Sequence, residues 1–251
     1  MITRKTTEQI ALMRRAGRVV AEMHEVCIRA AVPGATTAQV DKVAREVIER
    51  RGARSNFLGY GHPPFPGVVC TSPNEVIVHG IPSDAVVLRE GDILSIDCGA
   101  IIEGWHADAA VTVPVGEVDE ESQRLMDVTR RSLEAAIRNV VGGRRLGDVG
   151  AAVEGVAEAE GFSIVREYVG HGIGTAMHEE PQVPNYGPAG RGLKLKEGLV
   201  LAIEPMVNAG GPETETLADG WTVVTRDRRR SAHFEHTIAC TDNGPEVLTV
   251  P

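Results

Sequence analysis

Residues 90–97 read EGDILSID, and residues 197–204 read EGLVLAIE. The two octapeptides, 107 residues apart, share Glu-Gly, a leucine, an isoleucine and a closing carboxylate. Upstream, Gly34, Val40, Val47, Glu49 and Gly52 recur 109 residues later as Gly143, Val149, Val156, Glu158 and Gly161. Downstream, His106-Ala107-Asp108 has a counterpart in His233-Phe234-Glu235. Each match is weak alone, because Gly, Val and Glu are common. Three in the same order indicate a duplicated unit.

The coarse structure agrees with a repeat. Helical spacing covers residues 7–31 and 37–51, broken by Pro33-Gly34, and again residues 119–141 and 146–160, broken by Gly142-Gly143. Alternating strand patterns follow each helix pair, at 92–100 with 105–113 and at 199–204 with 232–239. The order is helix, helix, strands, twice over, in halves of about 1–115 and 116–251. Neither set of strands covers its apolar face alone, so the halves are expected to share one sheet.

Composition narrows the function. The 251 residues carry 26 Lys+Arg against 35 Asp+Glu, a net charge of −9. That balance argues against nucleic acid or an anionic membrane as the main partner, although RDRRR at 226–230 stays as a local basic patch. No stretch is apolar enough for a signal peptide or a membrane span. Cys27, Cys70, Cys98 and Cys240 lack C-x-x-C spacing and read as reduced thiols. A soluble cytoplasmic protein is expected.

The acids at the ends of the repeats carry the chemistry. If the first hairpin turns at Ile102-Glu103, Asp97 and Asp108 stand directly opposite, with β-carbons about 4.5–5.5 Å apart on one face. Ile96 and Ala109 then point the other way. Carboxylates that close repel, and one stays protonated unless a cation sits between them. In the second unit, Glu204 ends its strand where Pro205 removes a backbone donor, and Glu235 lies in the run 232–239. Four inward acids call for a compensating charge of about +3 to +4, which two divalent ions meet.

The candidate imidazole is His171, in YVGHGIG at 168–174, with His178 seven residues on. Oxygen ligands favour Mn, Mg or Ca, and an added imidazole shifts the preference towards Mn, Fe, Co or Zn. GHGIG lacks the Lys-Ser/Thr of a phosphate-binding loop. A strand acid is ordinarily solvated, and a histidine among glycines is ordinarily structural. The recurrence of the acids at matching positions argues against that reading.

With these five positions assembled, the chain resembles methionine aminopeptidase of the short bacterial (type I) kind. The resemblance spans essentially the whole sequence: VCTSPNEVIVHGIP (69–82), DILSIDCGAIIEGWHADAAVTV (92–113), GHGIGTAMHEEPQVPNYG (170–187), LAIEPMV (201–207) and HFEHT around Glu235. It implies the pita-bread fold, an α/β domain of two pseudo-two-fold related helix-helix-strand-strand halves on a curved, mainly antiparallel sheet. It also implies two divalent ions (Mn, Fe(II), Co or Zn), with Asp97 on one, His171 and Glu204 on the other, and Asp108 and Glu235 on both. A monomer without an extra N-terminal domain is expected.

The implied reaction removes the initiator methionine from nascent polypeptides, near the ribosome, with a small second residue preferred. A metal-bridging hydroxide would attack the first peptide bond. Glu204 would shuttle the proton, His178 would donate to the developing oxyanion, and His79 would act near the scissile nitrogen. The methionine pocket falls to Cys70, Met177 and Trp221, with Tyr60 and Phe65 on its rim. Met177 stands where many relatives have an aromatic residue. The loop GYGHPPFPG at 59–67 is longer and richer in proline than usual, which leaves the register of its two aromatics open.

Two rival readings fit the sequence less well. A proline-specific dipeptidase of the same fold carries a large N-terminal domain, whereas here the first helix begins within about ten residues. A metal-free binding module on this fold typically loses ligands, whereas all five are kept. A zinc-ribbon protein is excluded by the cysteine spacing.

Overall fold

A computed structural model describes residues 2–251 of the chain. Helices form where the periodicity predicts them: α1 (Thr7–Ala30), α2 (Thr37–Arg51), α3 (Glu120–Ile137) and α4 (Leu146–Ala159). α1 and α2 each start on a capping box, Thr6 with Gln9 and Thr36 with Gln39, which satisfies two otherwise orphaned N–H groups. Gly52 ends α2 and its repeat partner Gly161 follows α4, both with left-handed φ (60° and 78°), and this shared conformation explains their recurrence. α3 stops short of the expected residue 141. Asn139 Nδ2 donates to the Ala135 carbonyl there, and the chain tightens into turns before Gly142.

The helices cover one face of the strands. Ala16, Val20 and Met23 of α1, with Val40 and Val47 of α2, pack with Leu94, Ile96, Cys98 and Ala109. In the second half Leu125, Leu133, Val149 and Val153 pack with Leu201, Ile203 and Ile238. Burying each large aliphatic side chain stabilises by about 1.5–3 kcal/mol. Strand side chains alternate, so seating Ile96 and Cys98 on the helices turns Asp97 to the opposite face.

Among the described residues all strand pairs are antiparallel and fall into four hydrogen-bonded sheets. The long hairpin of Ile93–Ile102 and Trp105–Pro114 differs from expectation in register. Its turn is Glu103-Gly104, both at positive φ (51° and 82°), so Ile102 pairs with Trp105. Asp97 is therefore opposite Ala110 and Asp108 opposite Gly99, which makes the two acids diagonal neighbours. They stay on one face because the slip is by two residues in the pairing, which preserves side-chain parity.

The run 232–239 is also not one strand. It divides into Ser231–His233 and His236–Thr241, which pair with Met206–Asn208 and Val200–Ile203. Both interruptions fall at the acids, Glu204-Pro205 and Phe234-Glu235, since Pro205 has no N–H to continue the ladder. The register is the same on either side, Ile203 with His236 and Met206 with His233, so Glu204 stands opposite Glu235. The halves join where Ala110 and Glu235 exchange backbone hydrogen bonds of 3.3 and 2.9 Å.

Of the arginines in 226–230, Arg228, Arg229 and Arg230 are ion-paired with Glu215, Glu121 and Asp119, so the basic patch is largely neutralised. Among the described residues no helix is long and apolar enough to cross a membrane. All four cysteines are free and buried.

Candidate metal centre and substrate pocket

The strand faces turned away from the helices converge on a cavity of about 130 Å³. Asp97, Asp108, His171, Glu204 and Glu235 line one side. Asp108, His171 and Glu235 each bring a ligand atom to within 4.8 Å of the other two. His171 Nε2 lies 3.5 Å from Glu204 Oε1.

These acids lack the partners that buried charges need. Asp97 Oδ1, Asp108 Oδ1 and Glu235 Oε1 are buried with no hydrogen-bond partner. Among the described residues no lysine or arginine lines the cavity. Burial pushes Asp97 up to about 7, against a hydrogen bond from Asp108 that lowers it. Burial and mutual repulsion drive Asp108, Glu204 and Glu235 well above the usual carboxylate range. Four such carboxylates without a counter-charge fit a site for divalent cations, which would restore their ionised form.

The imidazole is set up as a ligand. His171 Nδ1 donates to the Gly172 carbonyl (2.9 Å), which leaves Nε2 as the lone-pair nitrogen facing Glu204. Burial, with His178 close by, lowers its pKa to about 4, so the ring is neutral at pH 7. Oxygen-rich donors with one nitrogen suit Mn, Fe, Co or Zn.

The other histidines frame the entrance. His178 Nδ1 hydrogen-bonds the Tyr60 hydroxyl at 2.7 Å, and its ring stands 4.3 Å from that of His171. His79 has φ +60°, a strained conformation for a non-glycine residue of the kind that collects at functional sites. Its ring meets Trp221 and Tyr168 edge-on, and burial lowers its pKa to about 4.

The remaining wall is apolar: Phe57, Phe65, Cys70 and Met177 cluster with Trp221. Tyr60 is 42% exposed and sits at the rim. Phe65 is 2% exposed and belongs to the wall instead, because it packs edge-on against both Phe57 and Trp221. Burial first, then the nearby acids, pushes the Cys70 thiol well up, which makes it a neutral wall. An apolar cavity of about 150 Å³ holds one benzene, so this one suits a single medium-sized side chain.

Comparison with known proteins agrees with this geometry. Residues 5–242 match the family model described as Metallopeptidase family M24. A methionine aminopeptidase of Clostridium acetobutylicum is 48% identical over 250 residues, covering 100% of this chain and 99% of its own. The chain belongs to metallopeptidase family M24. Within family M24, the crystal structure of methionine aminopeptidase from Thermotoga maritima matches with a TM-score of 0.97 at 45% identity, covering 100% of both chains. The pita-bread architecture expected from the sequence is thus the fold of this chain. A prolidase from Pyrococcus furiosus shares that fold at a TM-score of 0.79 and 21% identity, and 65% of the prolidase chain is covered.

For this family M24 chain, sequence reasoning located every acid and histidine that lines the cavity and missed several supports. Phe57 carried no spacing signal. His233 carries only the repeat signal, yet its Nε2 is buried without a hydrogen bond, 3.9 Å from Glu204 Oε2. Asn185 is almost fully buried and donates to the Glu204 carbonyl at 3.0 Å. Thr237, inside the HFEHT string, holds the Asp108 backbone.

Proposed function

We propose that this chain removes the N-terminal methionine from newly made polypeptides, with a small second residue preferred. It would act in the cytoplasm as a monomer and as a single catalytic domain. The observation that carries the reading is two buried acids, two largely buried ones and a neutral imidazole at one end of a cavity whose other end is apolar. Full-length identity of 48% to a methionine aminopeptidase supports the substrate.

Two divalent ions would be held, Asp97 on one, His171 and Glu204 on the other, and Asp108 and Glu235 between them. Once bound, such ions supply Lewis acidity and a water of lowered pKa. Glu204 receives the proton of the attacking water and returns it to the leaving amine. His178, steadied by Tyr60, donates to the carbonyl oxygen as charge develops, and His79 lies by the scissile nitrogen. Phe57, Phe65, Cys70, Met177 and Trp221 enclose the methionine side chain, while Tyr60 limits room at the mouth.

The test is a peptide series Met-X-Met with X as Gly, Val and Leu, alongside an X-Pro dipeptide. Rates should fall steeply from Gly to Leu, with no cleavage of the X-Pro bond. Flat rates across the series, or preferred X-Pro cleavage, would refute the assignment. Substituting His79 or His178 should depress turnover far more than metal content, and equal loss of both would contradict their roles.

A further inference from the structure

The connection between the strands Gly170–Gly172 and Glu179–Val183 carries both Met177 and His178. It is held from beneath by the Glu179 carboxylate. Oε1 accepts the N–H groups of Thr175 (2.8 Å) and Ala176 (3.3 Å). Oε2 accepts from Lys5 Nζ (2.7 Å) and from Thr3 Oγ1 (2.8 Å), and Lys5 Nζ also donates to Thr3 Oγ1. Lys5 and Glu179 form a largely buried ion pair, with side chains 4% and 14% exposed.

The segment that delivers Lys5 precedes α1 and is pinned where the Lys5 N–H donates to the Gly198 carbonyl at 2.7 Å. Glycines make the room. A β-carbon on Gly174 would lie 2.5 Å from both Glu179 Oε1 and Lys5 Cε, and one on Gly198 would lie 2.7 Å from the Lys5 carbonyl. Neither Lys5 nor Glu179 lines the pocket.

We infer that Lys5 and Glu179 are positioning residues for substrate recognition: the N-terminal strap, acting through the Glu179 carboxylate, sets the place of Met177 and His178. The inference rests on the proposed aminopeptidase reading for what the loop does, and on the geometry alone for what holds it. Without Lys5 the largely buried Glu179 carboxylate loses its cationic partner. The carboxylate then swings out and releases the Thr175 and Ala176 N–H groups. The disturbance lands on the loop, because those are the backbone groups Glu179 holds. A displacement of about 1 Å near reacting groups costs up to roughly a hundredfold in rate.

The test compares full-length, manganese-loaded wild type, Lys5→Met, Lys5→Arg, Glu179→Gln and the Lys5→Met/Glu179→Gln double variant on Met-Gly-Met. Lys5→Met should lower kcat/KM roughly tenfold to a hundredfold, with a raised KM and an unchanged metal dissociation constant. Lys5→Arg should recover most of the loss, and the double variant should be no worse than the poorer single. Amide hydrogen exchange at Thr175 and Ala176 should accelerate in Lys5→Met while α3 amides keep their rates.

Unchanged kcat/KM with unchanged exchange at those two amides overturns the inference. So does a general loss in which Tm, metal affinity and α3 protection fall together. Exchange needs no turnover, so an inactive wild-type chain would refute the proposed reaction and leave the strap to be judged on exchange alone.

Discussion

Thr237 grips the backbone of Asp108 from the other half of the molecule: its hydroxyl accepts the Asp108 N–H at 2.9 Å and donates to the Asp108 carbonyl at 2.8 Å. Thr112 does the same to His233, at 2.8 Å for each bond. Ala110 and Glu235 exchange backbone bonds between these two clamps. Two threonine hydroxyls thus extend a short ladder across the seam of the duplicated halves, where Asp108 and Glu235 meet.

Thr237→Val removes that grip at nearly constant volume. Two buried backbone groups lose their partner, so unfolding free energy should drop by about 2–4 kcal/mol. Manganese affinity should weaken with it, since Asp108 loses its fixed position. Thr71 is the control: its hydroxyl is buried with no partner, so Thr71→Val should be neutral or stabilising. Urea titration and calorimetry on both variants check this, and equal effects at the two positions would remove the clamp's significance.

Much of this was legible in the sequence, for physical reasons. Helix caps, glycine turns and strand parity are local, so the helices and the shared face of Asp97 and Asp108 could be read directly. The hairpin register could not, because it hangs on whether Glu103 accepts positive φ, a choice stabilised by the whole hairpin. Nor could Phe65's place in the wall, since Trp221, which packs edge-on against it, lies on a loop far away in the sequence. Lys5 acts on the Glu179 carboxylate and Thr237 on the Asp108 backbone, each across more than a hundred residues, which leaves no spacing signal.

Metal uptake should release protons. In the metal-free site burial holds Asp97 near 7, so it is largely protonated at pH 6.5, and burial with mutual repulsion keeps the other three carboxyls well above their usual range. Binding a cation requires the ionised forms. Manganese titrations at pH 6.5, in buffers of different ionisation enthalpy, should show net proton release that diminishes in Asp97→Asn. Proton-neutral binding would contradict the electrostatic description.

Part of the acid sensitivity should arise on the far side of the sheet. His24 shares a cavity with His236, Arg130 and Glu134, and burial, helped by His236, lowers its pKa to about 4. The unfolded value is about 6.5. The folded state therefore binds fewer protons, and stability that is complete above pH 6.5 is lost as pH falls towards 4, by up to about 3 kcal/mol. His24→Gln should lack this part of the decline in the metal-free protein, which urea unfolding at pH 7 and 4.5 will register. Parallel losses in both proteins would show that His24 is not the group responsible.

Met177 should govern selectivity at the first residue. It is a flexible wall against Phe65, Cys70 and Trp221, and Met177→Ala enlarges the cavity. Discrimination between N-terminal methionine and bulkier apolar residues should then fall about tenfold or more. Competition assays with Met-Gly-Met and Phe-Gly-Met measure this, and unchanged selectivity would move the pocket wall elsewhere.

Anomalous scattering from crystals grown in excess manganese without chelator tests the central claim most directly. Two peaks should appear, one beside Asp97 and one beside His171 and Glu204, with Asp108 and Glu235 reaching both. Acids turned outward with no peak among them would contradict the account.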